Sequence, residues 1–108
     1  MELEQNTGVY VISVAAKLTG LHPQTLRQYD KLGLVSPVRE GRHIRLYSSN
    51  DIQRLLLITQ LSQEGLNLAG IERVLALQEQ VIALRSRLAQ LEKIHRETAL
   101  VLSARRPR

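Results

Sequence analysis

The chain has 108 residues and a mass of 12.2 kDa, so it forms one domain or one small domain with an extension. Its 15 Lys and Arg residues against 10 Asp and Glu give a net charge of +5, which suits a polyanionic partner such as nucleic acid. The absence of Cys excludes disulfides, thiolate metal sites, iron–sulfur clusters and cysteine nucleophiles.

The first predicted elements are a strand-like run and a short helix. Residues 1–8 are polar, and we expect them to form a flexible N-terminal segment. The β-branched residues within 9–12 favour an extended conformation. Ser13 is a suitable N-cap and Gly20 a suitable C-terminal stop, so we predict a helix over residues 14–19.

A second helix is predicted after a tight turn. Pro23 suits the first helical position and Gly33 suits the end, so the helix spans 23–32. Two short helices in this order are typical of a helix-turn-helix, although an ordinary helical hairpin has the same spacing. For DNA binding, Leu26 and Leu32 would face inward. Five polar side chains would then face a groove, namely Gln24, Thr25, Arg27, Gln28 and Lys31.

The segment 34–47 predicts a small β-hairpin with its tip at Glu40 and Gly41, because Pro37 and Gly41 punctuate it and residues 44–47 are strand-like. Placed as a wing beside the second helix, it would hold DNA phosphates or reach the minor groove. The side chains available for this are Arg39, Arg42, His43 and Arg45.

Several polar side chains near the two motifs have more than one interpretation. Ser13 either caps its helix only or also shares the helix N-terminus with a phosphate. Tyr47 either reaches a phosphate through its hydroxyl or packs the hairpin against the helices, and Tyr10 is expected in the core. Asp30 would repel a phosphate, so we expect it to pair with Arg27 or another cation.

Two more helices follow the hairpin. Ser48 and Asp51 resemble a capping box that starts the third helix, and Gly65 ends it. Its apolar face has helical spacing, with Ile52, Leu55, Leu56, Ile58 and Leu61. Asn67 is placed to cap a fourth helix.

Beyond residue 76 the apolar pattern changes to a heptad seam formed by Leu77, Val81, Leu84, Leu88 and Leu91. This seam either packs inside the chain or pairs with a second copy. Its narrow spacing and the lack of a later partner helix favour a dimer. We therefore predict a dimerisation coiled coil over 76–98, followed by an apolar and basic tail over 99–108.

The tail has two interpretations that the sequence leaves open. Leu100, Val101 and Leu102 with the basic residues after them have the composition that chaperones of the DnaK class favour in extended peptides, so they are candidates for chaperone docking. Alternatively, these apolar residues complete the dimer helix.

The sequence shows no pattern typical of a metal site, an enzyme or a membrane protein. His22, His43 and His95 have no metal-ligand spacing, and neither a nucleophile–base pair nor a phosphate-binding glycine loop is found, so we expect no metal, no cofactor and no enzyme activity. No apolar run approaches the ~20 residues of a membrane span and no signal-peptide pattern occurs, so we expect a cytoplasmic bacterial protein, associated with the nucleoid when bound to DNA.

Over residues 9–75 the chain resembles the DNA-binding domain of the MerR family of transcription regulators. The motifs that carry the resemblance are Gln24-Thr25-Leu26-Arg27, Tyr29-Asp30, Leu32-Gly33-Leu34-Val35, Pro37 and Arg45-Leu46-Tyr47-Ser48. It implies a mainly α fold: a winged helix-turn-helix with a small β-hairpin wing, followed by a C-terminal antiparallel coiled-coil dimerisation helix. It also implies DNA contacts by Thr25, Arg27 and Tyr29, with Arg42 and Arg45 holding the DNA backbone.

Within the family the sequence is similar to the HspR-type heat-shock repressors. That similarity implies a homodimer that represses chaperone genes at an inverted-repeat operator, with a DnaK-type chaperone as co-repressor. Metal-sensing relatives need Cys, which is absent, and fewer than twenty residues follow Leu91, so we expect no small-molecule effector. The alternatives are another MerR-like regulator, an architectural DNA-binding protein without chaperone control, or a coiled-coil chaperone adaptor.

Overall fold

The computed structural model describes residues 5–105. The chain divides into two units, with the boundary after Ile71. In chain order the elements are β1 (Tyr10–Val11), α1 (Ile12–Thr19), α2 (Pro23–Lys31), β2 (Val38–Glu40), β3 (Ile44–Tyr47), α3 (Ser49–Gln63) and α4 (Leu68–Ala104).

The three strands form one antiparallel sheet in the order β1-β3-β2. The predicted hairpin is confirmed as β2 and β3, and β1 pairs with β3 on the other side, with Tyr10 opposite Tyr47. Of the expected flexible segment, the structure describes residues 5–8, and the last of these lies against the sheet. Gly8 lies so close to Leu46 that a Cβ there would come within 2.9 Å of it, and residues 1–4 lie outside the described part.

The first helix begins earlier than predicted, because Ile12 already has helical geometry and Val11 occupies the N-cap position. Ser13 is therefore not the N-cap but an exposed residue in the first turn, and the predicted capping role is wrong. The predicted stop is confirmed, since Gly20 has a left-handed backbone with φ of 72°.

The second helix begins at Pro23 as predicted and ends in a Schellman motif. Gly33 adopts φ of 78°, and the amide of Leu34 donates to the Tyr29 carbonyl over 2.9 Å. This turn buries Leu34 and leaves Leu32 at 45% exposure, so the expectation that Leu32 faces inward is wrong. Leu26 is fully buried, as predicted.

The start signals of the last two helices are confirmed. The Ser48 hydroxyl accepts a hydrogen bond from the Asp51 amide over 3.0 Å, and the Asp51 carboxylate accepts one from the Ser48 amide over 2.9 Å. Asn67 accepts a hydrogen bond from the Gly70 amide through its side chain.

The core of the first unit lies between the two short helices, the sheet and α3. It contains Ala15, Leu26, Val35, Tyr47, Ile52 and Leu55. Tyr10 packs against this core from β1 and is half-buried. The core therefore holds the helix-turn-helix and the wing on one support.

Residues Leu68–Ala104 form a single helix of 37 residues. Every described residue from 76 onward is exposed. Leu100, Val101 and Leu102 lie within this helix and are exposed, so both interpretations of these residues stay predictions. Residues 106–108 of the predicted tail lie outside the described part. Among the described helices, none combines the length and the apolarity needed to cross a membrane.

Candidate nucleic-acid interface

The second helix and the wing together form a groove of about 430 Å³. The helix contributes one polar face, and each of the two antiparallel wing strands contributes one arginine. The groove is lined by Gln24, Arg27, Gln28 and Lys31 of α2 and by Arg39 and Arg45 of the wing. Six of the predicted DNA-binding residues are thus brought to one place.

The chemistry of the groove suits a polyanion that also carries hydrogen-bonding edges. Arg27, Lys31 and the two wing arginines supply positive charge, and Arg side chains bind phosphates or the edge of guanine in a bidentate way. Gln24 and Gln28 carry amides, which donate and accept hydrogen bonds and can pair with adenine. Such a combination of charge and amides can both hold a duplex and discriminate among bases.

The two sides of the groove are connected by an acidic residue. Asp30 of α2 accepts hydrogen bonds through Oδ2 from Arg39 Nη2 over 2.6 Å and from Arg45 Nε over 2.8 Å. The expectation that Asp30 pairs with a cation is met by these two wing arginines rather than by Arg27. Arg27 Nη1 donates a hydrogen bond to Gln24 Oε1 over 3.5 Å.

The remaining predicted DNA-binding residues differ in exposure. Arg42 and His43 lie in the exposed wing turn, and Ser13 is exposed on α1. Thr25 and Tyr29 are half-buried, so only part of each side chain is open to a partner. These residues lie outside the lining of the groove, and their DNA contacts stay predictions.

Tyr47 is buried, which supports the packing interpretation and not the phosphate contact. Its side chain is fully buried in the core, and its hydroxyl has no hydrogen-bond partner among residues 5–105. Burial raises the pKa of this hydroxyl above its ordinary value of 10.0, and the nearby Arg45 charge offsets the effect only in part. Its inclusion among DNA-binding residues is therefore corrected.

Tyr47→Phe is expected to stabilise the protein and to leave DNA affinity within about twofold, because it removes a buried hydroxyl whose lack of a partner costs about 1–3 kcal/mol. The gain should grow above pH 10. There the unfolded wild-type chain loses the Tyr47 proton before the folded one does, so wild-type stability falls with rising pH. Denaturation of both proteins at pH 8 and above pH 10 measures this. A large loss of DNA affinity in the Phe variant would instead identify the hydroxyl as a phosphate ligand.

Two residues that brace the turns before and after α2 were not identified from the sequence. The Thr19 hydroxyl donates to the Ala15 carbonyl over 2.8 Å and accepts from the Leu21 amide, which braces the turn between α1 and α2. Arg54 Nε donates to the Leu34 carbonyl and so ties α3 to the turn before the wing. Thr19 carries a local signal, a hydroxyl just before the helix stop. The Arg54 contact spans 20 residues and has none.

The long helix carries the predicted dimerisation residues on its surface. Leu77, Val81, Leu84, Leu88 and Leu91 are 43–65% exposed. Ile82 and Ile94, which are not part of the seam, are also exposed. These apolar side chains can be removed from water only if another protein surface packs against them.

Comparison with known proteins relates the chain to helix-turn-helix regulators. The sequence profile described as "MerR HTH family regulatory protein" matches residues 10–78. A Streptomyces coelicolor protein named "Putative heat shock protein HspR" is 60% identical over 91 residues, which are 83% of this chain and 60% of that protein. The transcriptional regulator TnrA of Bacillus subtilis is 32% identical over 68% of this chain and 67% of its own length. The chain thus spans about 60% of the length of the HspR relative.

A similar solved structure is that of HiNmlR, described as a MerR family regulator lacking the sensor domain, bound to promoter DNA. Its TM-score is 0.58 at 27% identity, and the match covers 88% of this chain and 74% of that one. The related proteins and folds are transcription regulators and not enzymes.

Proposed function

The chain belongs to the MerR family of helix-turn-helix regulatory proteins, and from this premise we propose that it represses heat-shock genes. It does so by binding an inverted-repeat operator as a homodimer. The observation that carries the DNA-binding part is the groove of α2 and wing side chains, with its four cationic residues and two amides. HiNmlR, which has a similar fold, was solved on promoter DNA.

In the proposed complex, α2 lies in the major groove. Gln24, Arg27 and Gln28 read base edges, while Lys31 and the wing arginines bind phosphates and the minor groove. Binding therefore weakens steeply with added salt, because each phosphate contact releases counterions.

Dimerisation through the seam is the second part of the proposal. Two copies of α4 pair in antiparallel orientation and bury the apolar row that a single chain leaves in water. A two-fold dimer presents two recognition helices to two half-sites, and for this reason the operator is an inverted repeat.

Repression of chaperone genes and the role of a DnaK-type chaperone are supported by the 60% identity with the HspR relative. Leu100, Val101 and Leu102 are the proposed docking residues, because they are 49–71% exposed at the last turns of the helix. A chaperone that binds extended peptides would require the last turns of this helix to unwind, and helix ends unwind more readily than helix interiors. The dimerisation seam ends at Leu91, so these three residues lie outside it and are available for a chaperone.

The experiment is selection of binding sites from a random duplex library by the purified protein, with and without a DnaK-type chaperone and nucleotide. The chaperone alone serves as the control. The expected result is an enriched inverted repeat that is bound more tightly when the chaperone is present.

Each other outcome selects a different function. An inverted repeat that is indifferent to the chaperone supports a MerR-family regulator or an architectural DNA-binding protein and contradicts chaperone control. Absence of any enriched site contradicts sequence-specific repression and supports a chaperone adaptor.

A further inference from the structure

Asp30 is an acidic residue inside the basic face that the proposed function assigns to DNA. Its side chain is only 12% exposed, and Oδ2 accepts a hydrogen bond from each of Arg39 and Arg45. A carboxylate at this position repels a phosphate, so attraction to DNA does not explain why an acidic residue is found here.

The wing explains why a carboxylate is needed there. Arg39 and Arg45 lie directly opposite each other on β2 and β3, and directly opposed residues of an antiparallel pair project from the same face. Two like charges in such a pair destabilise the hairpin. The Asp30 carboxylate lies within 2.8 Å of both guanidinium groups and offsets this repulsion.

The same contacts also join the wing to the recognition helix. Asp30 belongs to α2, and its partners lie 9 and 15 residues further along the chain. It engages Arg45 through Nε, and the guanidinium carries further donors on both terminal nitrogens that can bind a phosphate. Asp30 thus orients the arginines and leaves guanidinium donors available to bind phosphates.

We propose that Asp30 is a positioning residue that sets the wing against the recognition helix, and that it thereby determines sequence selectivity rather than DNA affinity as such. The inference rests on the proposed DNA-binding function. It predicts different changes in the affinity for arbitrary DNA and in the affinity for the operator. Removing the Asp30 charge makes the surface more basic, so binding to arbitrary DNA stays equal or becomes tighter. The same change releases the wing, so binding to the selected operator weakens.

The test compares Asp30→Asn with wild type on two duplexes of equal length, the selected operator and a scrambled sequence, at fixed salt. Operator affinity is expected to fall about tenfold, the effect of one lost specific contact, while scrambled-duplex affinity does not fall. The matched control is Glu40→Gln. It removes one negative charge from the exposed end of β2 and leaves the Asp30 contacts in place, so it should keep the operator preference of wild type.

Hydrogen exchange of backbone amides gives a second readout that needs no operator. In Asp30→Asn, exchange is expected to become faster in β2 and β3 and to stay unchanged in α3. The proposal would be overturned if amide exchange in the wing and the operator preference were both unchanged. It would also be overturned if α3 lost as much protection as the wing, because Asp30 would then stabilise the fold in general. Should wild type itself select no operator, the proposed function fails, while the exchange experiment still decides whether Asp30 positions the wing.

Discussion

Leu84→Glu is expected to convert the dimer to a monomer and to weaken operator binding by at least a hundredfold. Leu84 is the middle residue of the five-residue seam and is 65% exposed in the single chain. In an antiparallel pair aligned on this seam, the two copies of residue 84 meet at the two-fold axis. The substitution removes two buried leucine side chains, each worth about 2–5 kcal/mol, and brings two carboxylates together in an apolar interface.

The loss of operator binding follows from the loss of the dimer. A monomer presents one recognition helix to one half-site, so it has neither the second set of base contacts nor the second set of phosphate contacts. Because about 1.4 kcal/mol corresponds to a factor of ten, a loss of about 3 kcal/mol already gives a hundredfold decrease.

Sedimentation measures the oligomeric state, and titration of the selected operator measures the affinity. Ser86→Glu is the matched control. It adds the same charge two residues away, at a heptad position opposite the seam, and should stay dimeric and bind normally. A Leu84→Glu protein that stays dimeric would show that the chains associate elsewhere.

Arg27→Ala is expected to remove much of the sequence preference, with a loss of about 1–3 kcal/mol on the operator and little change on arbitrary DNA. Arg27 is exposed on α2 and lines the groove beside Gln24, where its guanidinium can reach a base edge. A base contact acts only on the correct sequence, whereas a phosphate contact acts on every sequence.

The measurement is a repeat of the site selection together with titrations of operator and scrambled duplex. Lys17→Ala is the matched control, because it removes one positive charge from an exposed position on α1 outside the groove. It should change the affinity for both duplexes by the same factor. A recognition helix that tolerates Arg27→Ala with its preference intact would favour the chaperone adaptor.

The elements that could be predicted from the sequence are those that depend on neighbouring residues. The ends of the first two helices follow from Gly20 and Gly33, and the start of the third helix follows from Ser48 and Asp51. The wing follows from a turn between two short strand-like runs. All of these depend on contacts within a few residues, so the local pattern is sufficient.

The errors at Ser13, Leu32 and Tyr47 have a different origin. A serine at a helix start suits the capping role, but the helix already begins at Ile12, directly after β1, and Val11 occupies the N-cap position. A DNA-binding helix with an outward polar face predicts that Leu32 faces inward, but the left-handed turn at Gly33 buries Leu34 instead. Tyr47 carries a polar group that suits a phosphate, yet the sheet directs it into the core.

The sequence by itself determined the family, the C-terminal ends of the first two helices, the start of the third, the wing and the apolar row of the long helix. Each of these depends on adjacent residues or on a fixed period. Only the tertiary structure decided that Asp30 joins α2 to Arg39 and Arg45 and that β1 extends the sheet. It also decided that the Tyr47 hydroxyl is buried without a partner among the described residues. The physical reason is that these contacts join residues far apart in the chain. Such residues meet only after the core has placed the helix-turn-helix and the wing side by side.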